Sequence, residues 1–247
     1  MDQTNLPIHV GFIMDGNRRW AKERGVSIPQ GHTAGADNME KIVELCYEKG
    51  IRHITFYAFS TENWNRPAVE VAALMKIFTR YLDKMYRRWE SGEKEVYHHT
   101  QVRFLGDLSQ FSDSFRKGVA RIERLSDEKE VRMHMNVALN YGGRADIVQA
   151  VNRAIAEGKT QLTEQDIADR LYTAGQPDPD LVVRTGGEMR ISNFLLWQTS
   201  YSEYYSDPCY WPDFDESRLD LALAEYEKRT RKFGGNAAAP EKGDQSC

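Results

Sequence analysis

The stretch His9-Val10-Gly11-Phe12-Ile13-Met14-Asp15-Gly16-Asn17-Arg18-Arg19-Trp20 decides how this chain is read. A short apolar run predicts a buried strand, and it stops at an acid followed by Gly-Asn and two arginines. In an open α/β sheet, ligands sit where the carboxyl end of a strand feeds a helix. Gly16 and Asn17 leave backbone N–H groups free at the start of that helix, where an anion is favoured. Asp15 beside such an anion makes chemical sense if a divalent cation bridges the two, because hard cations take carboxylate and phosphate oxygens together. The competing reading is a plain strand-to-helix turn in which Asp15 caps the helix.

The same alternation continues outward from this stretch. Strand-like runs recur at Val10–Met14, His53–Phe59, Val102–Leu105, Arg132–Leu139 and Leu181–Arg184, with Phe194–Trp197 as a weaker sixth. Helical spacing separates them: Met39, Ile42, Val43, Cys46 and Tyr47; then Phe115, Val119, Ile122 and Leu125; then Ile147, Val148, Val151 and Ile155. Thr163-Glu164-Gln165-Asp166 resembles a capping box, with Asp in place of the usual Glu or Gln. Leu219, Leu223, Tyr226 and the basic Lys228–Arg231 predict a last amphipathic helix. The fold class this implies is α/β: a single domain with a mostly parallel central sheet of about six strands flanked by helices. From Gly234 the chain is rich in Gly, Ala and charge and lacks large apolar groups. The domain is therefore placed at residues 1–235 and a disordered tail at 236–247.

Bulk properties narrow the function classes. The chain has 247 residues, 40% hydrophobic and 28% charged, so it can bury a substantial core. A net charge of −4 gives no global field to recruit nucleic acid or anionic membrane, so any anion site must come from local arginines. Three cysteines, Cys46, Cys209 and Cys247, are widely spaced and odd in number. That suits a reducing compartment and argues against a disulfide framework or structural zinc. No basic, apolar leader and no run of membrane-spanning length is present, so a cytoplasmic location without a transmembrane segment is expected.

One helical segment departs from the ordinary pattern. From Pro67 to Trp89, apolar side chains occupy too wide an arc for a helix with one face in water. Such a helix is either packed on both sides or forms the wall of a hydrophobic cavity.

The strand ends carry the chemistry. After Ile54–Phe59 comes Ser60-Thr61-Glu62-Asn63-Trp64-Asn65-Arg66-Pro67, which delivers small polar groups, an indole and an arginine to the same sheet edge as Asp15. After Leu181–Arg184 comes Thr185-Gly186-Gly187-Glu188-Met189-Arg190-Ile191-Ser192-Asn193. Its glycine pair, two arginines and hydroxyl offer guanidinium forks for a second phosphate group. Glu203 supplies a further acid. Two anion-binding clusters, two acids for a metal and a greasy helix match a molecule with a diphosphate head and an apolar tail.

At this point the residues resemble a known family. Met14-Asp15-Gly16-Asn17-Arg18-Arg19-Trp20-Ala21, Gly31-His32-x-x-Gly35, Tyr57 through Pro67, Asn140-Tyr141-Gly142-Gly143-Arg144, Arg184 through Gln198 and Trp211-Pro212-Asp213-Phe214 are similar to the motifs of the cis-prenyltransferases. This family includes undecaprenyl diphosphate synthase, and the resemblance runs in order from about His9 to Gly235. It implies a homodimeric α/β enzyme, dependent on magnesium (Mg2+), that elongates an allylic prenyl diphosphate with isopentenyl diphosphate.

Residue by residue, the resemblance implies Asp15 and Glu203 as the magnesium-associated acids. It implies Gly16, Asn17, Arg18, Arg19, His32 and Arg66 for the allylic diphosphate, and Arg184, Arg190 and Ser192 for the second substrate's diphosphate. Asp15, Ser60 and Asn63 take the catalytic roles, and Trp20, Phe59, Trp64, Met85 and Trp89 the hydrophobic pocket. Three positions depart from the family pattern. Ile28 stands where an arginine is usual, Met189 where many bacterial members have histidine, and Lys232 where the family's Arg-x-Gly begins. Lysine keeps that charge but loses the bidentate fork. Drift accounts for such changes, as does a changed substrate pair in which two allylic diphosphates couple head-to-middle to a branched lavandulyl-type diphosphate. A catalytically silent partner subunit is the third alternative, and the retained Asp15, Asn63, Trp64 and Glu203 count against it.

Overall fold

Each residue of the first strand, β1 (His9–Ile13), is buried, as an apolar strand with neighbours on both edges and cover on both faces must be. The computed structural model describes residues 6–127 and 130–229, and the strands in it are β1, β2 (His53–Ser60), β3 (Thr100–Leu105), β4 (Met133–Tyr141), β5 (Leu181–Arg184) and β6 (Glu203–Ser206). They form one all-parallel sheet in the order β3-β4-β2-β1-β5-β6. From β1 the chain passes to β2 on one side, whereas from β5 it passes to β6 on the other. The crossovers therefore diverge at the β1/β5 pair and leave a crevice at the carboxyl ends of those strands, where open α/β sheets take ligands.

Eight helices follow in chain order among the described residues: α1 (Asn17–Glu23), α2 (Ile28–Glu48), α3 (Ala68–Ser91), α4 (Glu95–His99), α5 (Asp113–Asp127), α6 (Gly143–Ala156), α7 (Glu164–Ala168) and α8 (Glu216–Glu227). The main apolar cluster joins Val10, Phe12, Ile54 and Phe56 of the sheet to Ile42 of α2, Leu74 of α3, Phe115 of α5 and Leu219 of α8. A smaller cluster holds Ile13, Tyr141, Val182, Phe194 and Leu195. Thr163 caps α7 with the reciprocal Asp166 contact that the sequence predicts.

One expectation needs correction. Phe194–Trp197 is not a strand, because Ser192, Asn193 and Leu195 take φ angles of 48°, 64° and 44°, incompatible with extended backbone. Phe194 is instead a core plug stacked on Tyr57 at 4.7 Å, and the sixth strand is Glu203–Ser206. The helix that the spacing of Ile147, Val148, Val151 and Ile155 predicts is α6, although Val148 and Ile155 are each 58% exposed on it. The helix turns Asp146 inward instead, where it accepts hydrogen bonds from Tyr141 Oη at 2.9 Å, the Tyr172 N–H at 3.0 Å and Gln198 Nε2 at 3.2 Å. Gln149 Nε2 donates to it as well, at 3.0 Å. A buried carboxylate with four donors outweighs two exposed apolar side chains.

Helix α3 packs against both α2 and α5, which accounts for its wide apolar arc. It ends at Gly92, whose φ of 61° is the left-handed cap that glycine adopts without steric cost. Lys232 and the tail at 236–247 lie outside the described residues.

Candidate active site

Asp15 follows β1 and Arg184 ends β5, so the parallel register that pairs Ile13 with Arg184 brings acid and guanidinium together. Arg184 Nη2 lies 2.8 Å from Asp15 Oδ2, and Arg19 Nη2 lies 3.2 Å from Oδ1, which also accepts the Gly16 N–H at 2.7 Å. Burial pushes the Asp15 carboxyl up, but the Arg184 hydrogen bond and the Arg184 and Arg19 charges more than offset it. Its pKa lies below the usual carboxylate value. Asp15 is thus a fixed anion at the crevice. It is not an N-cap: that position belongs to Gly16, which makes no side-chain cap bond.

Gly16 has a structural reason to be glycine. Its φ is 106°, and a Cβ there would sit 2.7 Å from the Tyr210 ring and 2.9 Å from the Tyr210 Cα. The turn brings α1 in tightly, so that Arg19 donates to the Gly186 carbonyl at 2.8 Å and lies over the Tyr210 ring. Two segments distant in sequence thereby share one wall.

A polar cavity of about 570 Å³ opens here, lined among others by Asp15, Asn17, His32, Ser60, Asn63 and Arg66. Arg184 and Ser192 line its far side, joined by an Arg184 Nη1 to Ser192 Oγ bond of 2.8 Å. Ser60 and Asn63 hold each other at a helical turn, the Ser60 N–H donating to Asn63 Oδ1 at 3.0 Å. Behind the polar cavity lies a smaller apolar one of about 90 Å³, between α2 and α3. The two share Met14, Asn17, His32, Ala58 and Leu74, and Met85, Phe104 and Phe115 line the apolar part. Helix α3 is therefore packed on both sides and also a cavity wall.

Several expected residues stand elsewhere. Glu203 opens β6 at the level of Leu181, three residues before the level of Arg184, or about 10 Å of strand rise. It pairs with Arg229 at 2.7 Å, so a single chain does not bring Asp15 and Glu203 to one ion. Trp20 does not line the pocket: its indole donates to Asp213 at 2.9 Å with Arg24 stacked on it, fastening α1 to the loop before α8. Trp89, 3% exposed, donates to the Thr100 carbonyl at 3.0 Å and packs on Tyr97, away from the cavity lining. Phe59 and Trp64 meet edge-on at 5.0 Å and back the cavity rather than line it. The Arg190 side chain turns outward onto Glu188, and only its backbone carbonyl meets Arg184.

Three groups escaped the sequence reading. Glu70 accepts from Arg66 Nη1 at 2.9 Å and faces His32 Nε2 at 3.4 Å; Arg66 lies before the first residue of α3 in extended backbone, so no helical spacing announced the pair. Asn193 joins the loops by donating to Glu62 at 2.9 Å and accepting the Arg144 N–H at 3.0 Å. Thr185 donates to the Asp15 carbonyl at 2.7 Å. Burial and the nearby Arg66 charge hold the His32 pKa below its usual value, so at neutral pH its ring is uncharged.

A parallel sheet with an acid, an arginine cluster and an apolar annex at the carboxyl ends of its strands defines a site for an amphiphilic anion. Residues 13–234 match the family described as putative undecaprenyl diphosphate synthase, and the chain belongs to that family, the cis-prenyltransferases. An isoprenyl transferase of Fusobacterium nucleatum is 45% identical over 235 residues, covering 94% of this chain and 98% of that protein. One from Neisseria gonorrhoeae is 43% identical over 234 residues, covering 95% and 92%. Lavandulyl diphosphate synthase from Lavandula x intermedia, solved in complex with dimethylallyl diphosphate, superposes with a TM-score of 0.86 at 35% identity over 93% of this chain and 99% of that one. A probable undecaprenyl diphosphate synthase from Campylobacter jejuni gives 0.77 at 31% identity over 94% and 100%. The protein is a prenyl-transferring enzyme. Among the described residues, no helix is long and apolar enough to cross a membrane.

Proposed function

We propose that the enzyme condenses an allylic prenyl diphosphate with isopentenyl diphosphate, releasing diphosphate, as a homodimer in the cytoplasm. The observation that carries this reading is the junction of a polar, arginine-lined cavity with an apolar one through shared walls at Met14, Ala58 and Leu74. A diphosphate head and a prenyl tail need those two environments joined.

Asn17, Arg18, Arg19 and Arg66 surround the allylic diphosphate, and the charge of the three arginines stabilises the negative charge that builds on it as the C–O bond breaks. Arg184 and Ser192 hold the second diphosphate, so the isopentenyl double bond faces the allylic carbon near Ser60 and Asn63. The bond forms between these carbons, and the released diphosphate, the base that the reaction itself supplies, takes a proton from the isopentenyl unit. The apolar cavity takes the tail and keeps water from the allylic carbon.

Asp15 fits a magnesium ion as its one protein carboxylate, since magnesium commonly uses one or two carboxylates and completes its shell with substrate phosphates and water. Among the described residues, no group of three or more His, Cys, Asp or Glu is placed to hold a metal by itself, in keeping with a cation shared with substrate. Bound there, magnesium would add electrophilic stabilisation of the departing diphosphate.

A second reading, head-to-middle coupling of two allylic diphosphates, is favoured by the TM-score of 0.86 to lavandulyl diphosphate synthase. One assay separates the readings: protein and magnesium with dimethylallyl, geranyl or farnesyl diphosphate, with and without isopentenyl diphosphate, and products identified by mass spectrometry. Linear products that require isopentenyl diphosphate support the first reading. A branched product from dimethylallyl diphosphate alone replaces it with the second, and no product from any of these mixtures overturns both substrate assignments. Light scattering checks the dimer, expected at twice the 28.5 kDa chain.

A further inference from the structure

Glu70 sits in the first turn of α3 with its side chain 8% exposed, against Arg18, His32 and Arg66, which line the proposed anion site. An acid there works against an incoming diphosphate unless it does something for the cations around it. One oxygen, Oε1, faces two guanidinium cations and one neutral imidazole: Arg66 Nη1 at 2.9 Å, Arg18 Nε at 3.8 Å and His32 Nε2 at 3.4 Å. These groups come from three separate places: α1, α2 and the residue that closes the turn before α3.

We propose that Glu70 is the positioning residue of the allylic-diphosphate site, gathering Arg18, His32 and Arg66 into one cluster ahead of substrate. The inference rests on the diphosphate reading given above. Without a counter-anion, Arg18 and Arg66 repel each other, and Arg18, with 55% of its side chain exposed, is free to extend into water. Arginine side chains carry about 2 kcal/mol of rotamer entropy, which an unordered site would lose at the moment of binding. Glu70 places that loss in folding instead, so the diphosphate meets guanidinium forks already in place. The carboxylate remains ionised in spite of its burial, because the Arg66 and Arg18 charges more than offset the desolvation that pushes its pKa up. The start of a helix further favours an acid at this point.

The test uses inorganic pyrophosphate as probe, measured by calorimetry on the full chain, together with the His32 titration followed by NMR. Glu70→Gln keeps the shape and removes the charge. It is expected to bind pyrophosphate about tenfold more weakly, the loss of one charge-assisted contact's worth of organisation. It should also move the His32 midpoint downward, since Glu70 opposes the burial and the Arg66 charge that already depress it. Glu70→Asp keeps the charge on a shorter stem and should restore most of the binding; it also serves as the reading if the glutamine variant does not fold. Folded Glu70→Gln that binds pyrophosphate as tightly as the wild type, or more tightly, overturns the assignment and leaves the diphosphate site intact. Wild-type protein that fails to bind pyrophosphate overturns the diphosphate reading and this inference with it.

Discussion

Arg184 Nη2 and Asp15 Oδ2 meet at 2.8 Å across the β5/β1 edge, with the arginine side chain only 8% exposed. The contact joins the acid proposed to serve the metal with the arginine proposed to hold the second diphosphate. The two halves of the site are therefore one electrostatic unit, and changing one member changes the field at both. Few donors are spare: Arg184 Nη1 is taken by Ser192 and the Arg190 carbonyl, while its Nε is buried without a partner.

Asp15→Ala is expected to reduce kcat/KM by about 10³-fold or more, as the loss of a charged group aimed at the transition state. The same change leaves Arg184 without its acid, so a stability loss of about 1–3 kcal/mol accompanies it. Steady-state kinetics at saturating magnesium, with urea unfolding alongside, measures both. A near-wild-type rate would remove Asp15 from the mechanism.

Ile28, the first residue of α2, is half-buried in a shallow basin with Arg18, Arg19 and Lys22. An arginine there joins three existing cations. Ile28→Arg should tighten diphosphate binding by about 1–3 kcal/mol if the basin still faces the allylic site. Pyrophosphate calorimetry reads the effect. Unchanged affinity together with an unchanged product would place residue 28 outside the site.

At the amino end of the sheet, His9, His53 and His134 are register partners on β1, β2 and β4, and the His53 and His134 rings stack at 4.4 Å. Burial lowers the His9 pKa to about 4 and is also the main cause of a His53 pKa of about 4. In the unfolded chain both return to about 6.5. The unfolded state therefore binds protons first as pH falls, and stability drops from about pH 6.5 down towards 4. For His9 alone the loss between pH 7 and 5 is about 2 kcal/mol. Urea midpoints at the two pH values should differ accordingly, and His9→Gln should flatten the difference. Equal midpoints in the wild type would show that the histidines are already charged in the fold.

The central strands β1 and β5 were legible because a parallel strand covered on both faces reads as an unbroken apolar run, and each of their residues is buried. Glu203–Ser206 was not, since an edge strand of four half-buried residues carries no such run. Asp15, Arg66 and Arg184 were legible because their placement follows from strand ends alone. Trp20 and Trp89 misled for a common reason. An indole advertises an apolar wall, yet each N–H found a partner from a distant or later segment, Asp213 for one and the Thr100 carbonyl for the other. Glu70 was hidden because an acid beside an anion site makes sense only once the guanidinium groups of Arg18 and Arg66 and the His32 ring, from three separate places in the chain, are seen around it.

Chain length gives the last test, and here Met85 and Trp89 part company. The apolar cavity is only about 90 Å³, and Met85 lines it together with Phe104 and Phe115. A tail growing into this space meets those side chains early, so a short product is expected. Met85→Ala removes three heavy atoms from the wall and should lengthen the product, at a stability cost of about 2–5 kcal/mol. Trp89 lies beyond the wall, holding α3 to the start of β3 through the Thr100 carbonyl. Trp89→Ala should cost about 3–5 kcal/mol while leaving product length unchanged. Mass spectrometry of the products, with thermal unfolding of each variant, separates the two residues. Longer products from Trp89→Ala and none from Met85→Ala would mean that the tail runs along a different face of α3.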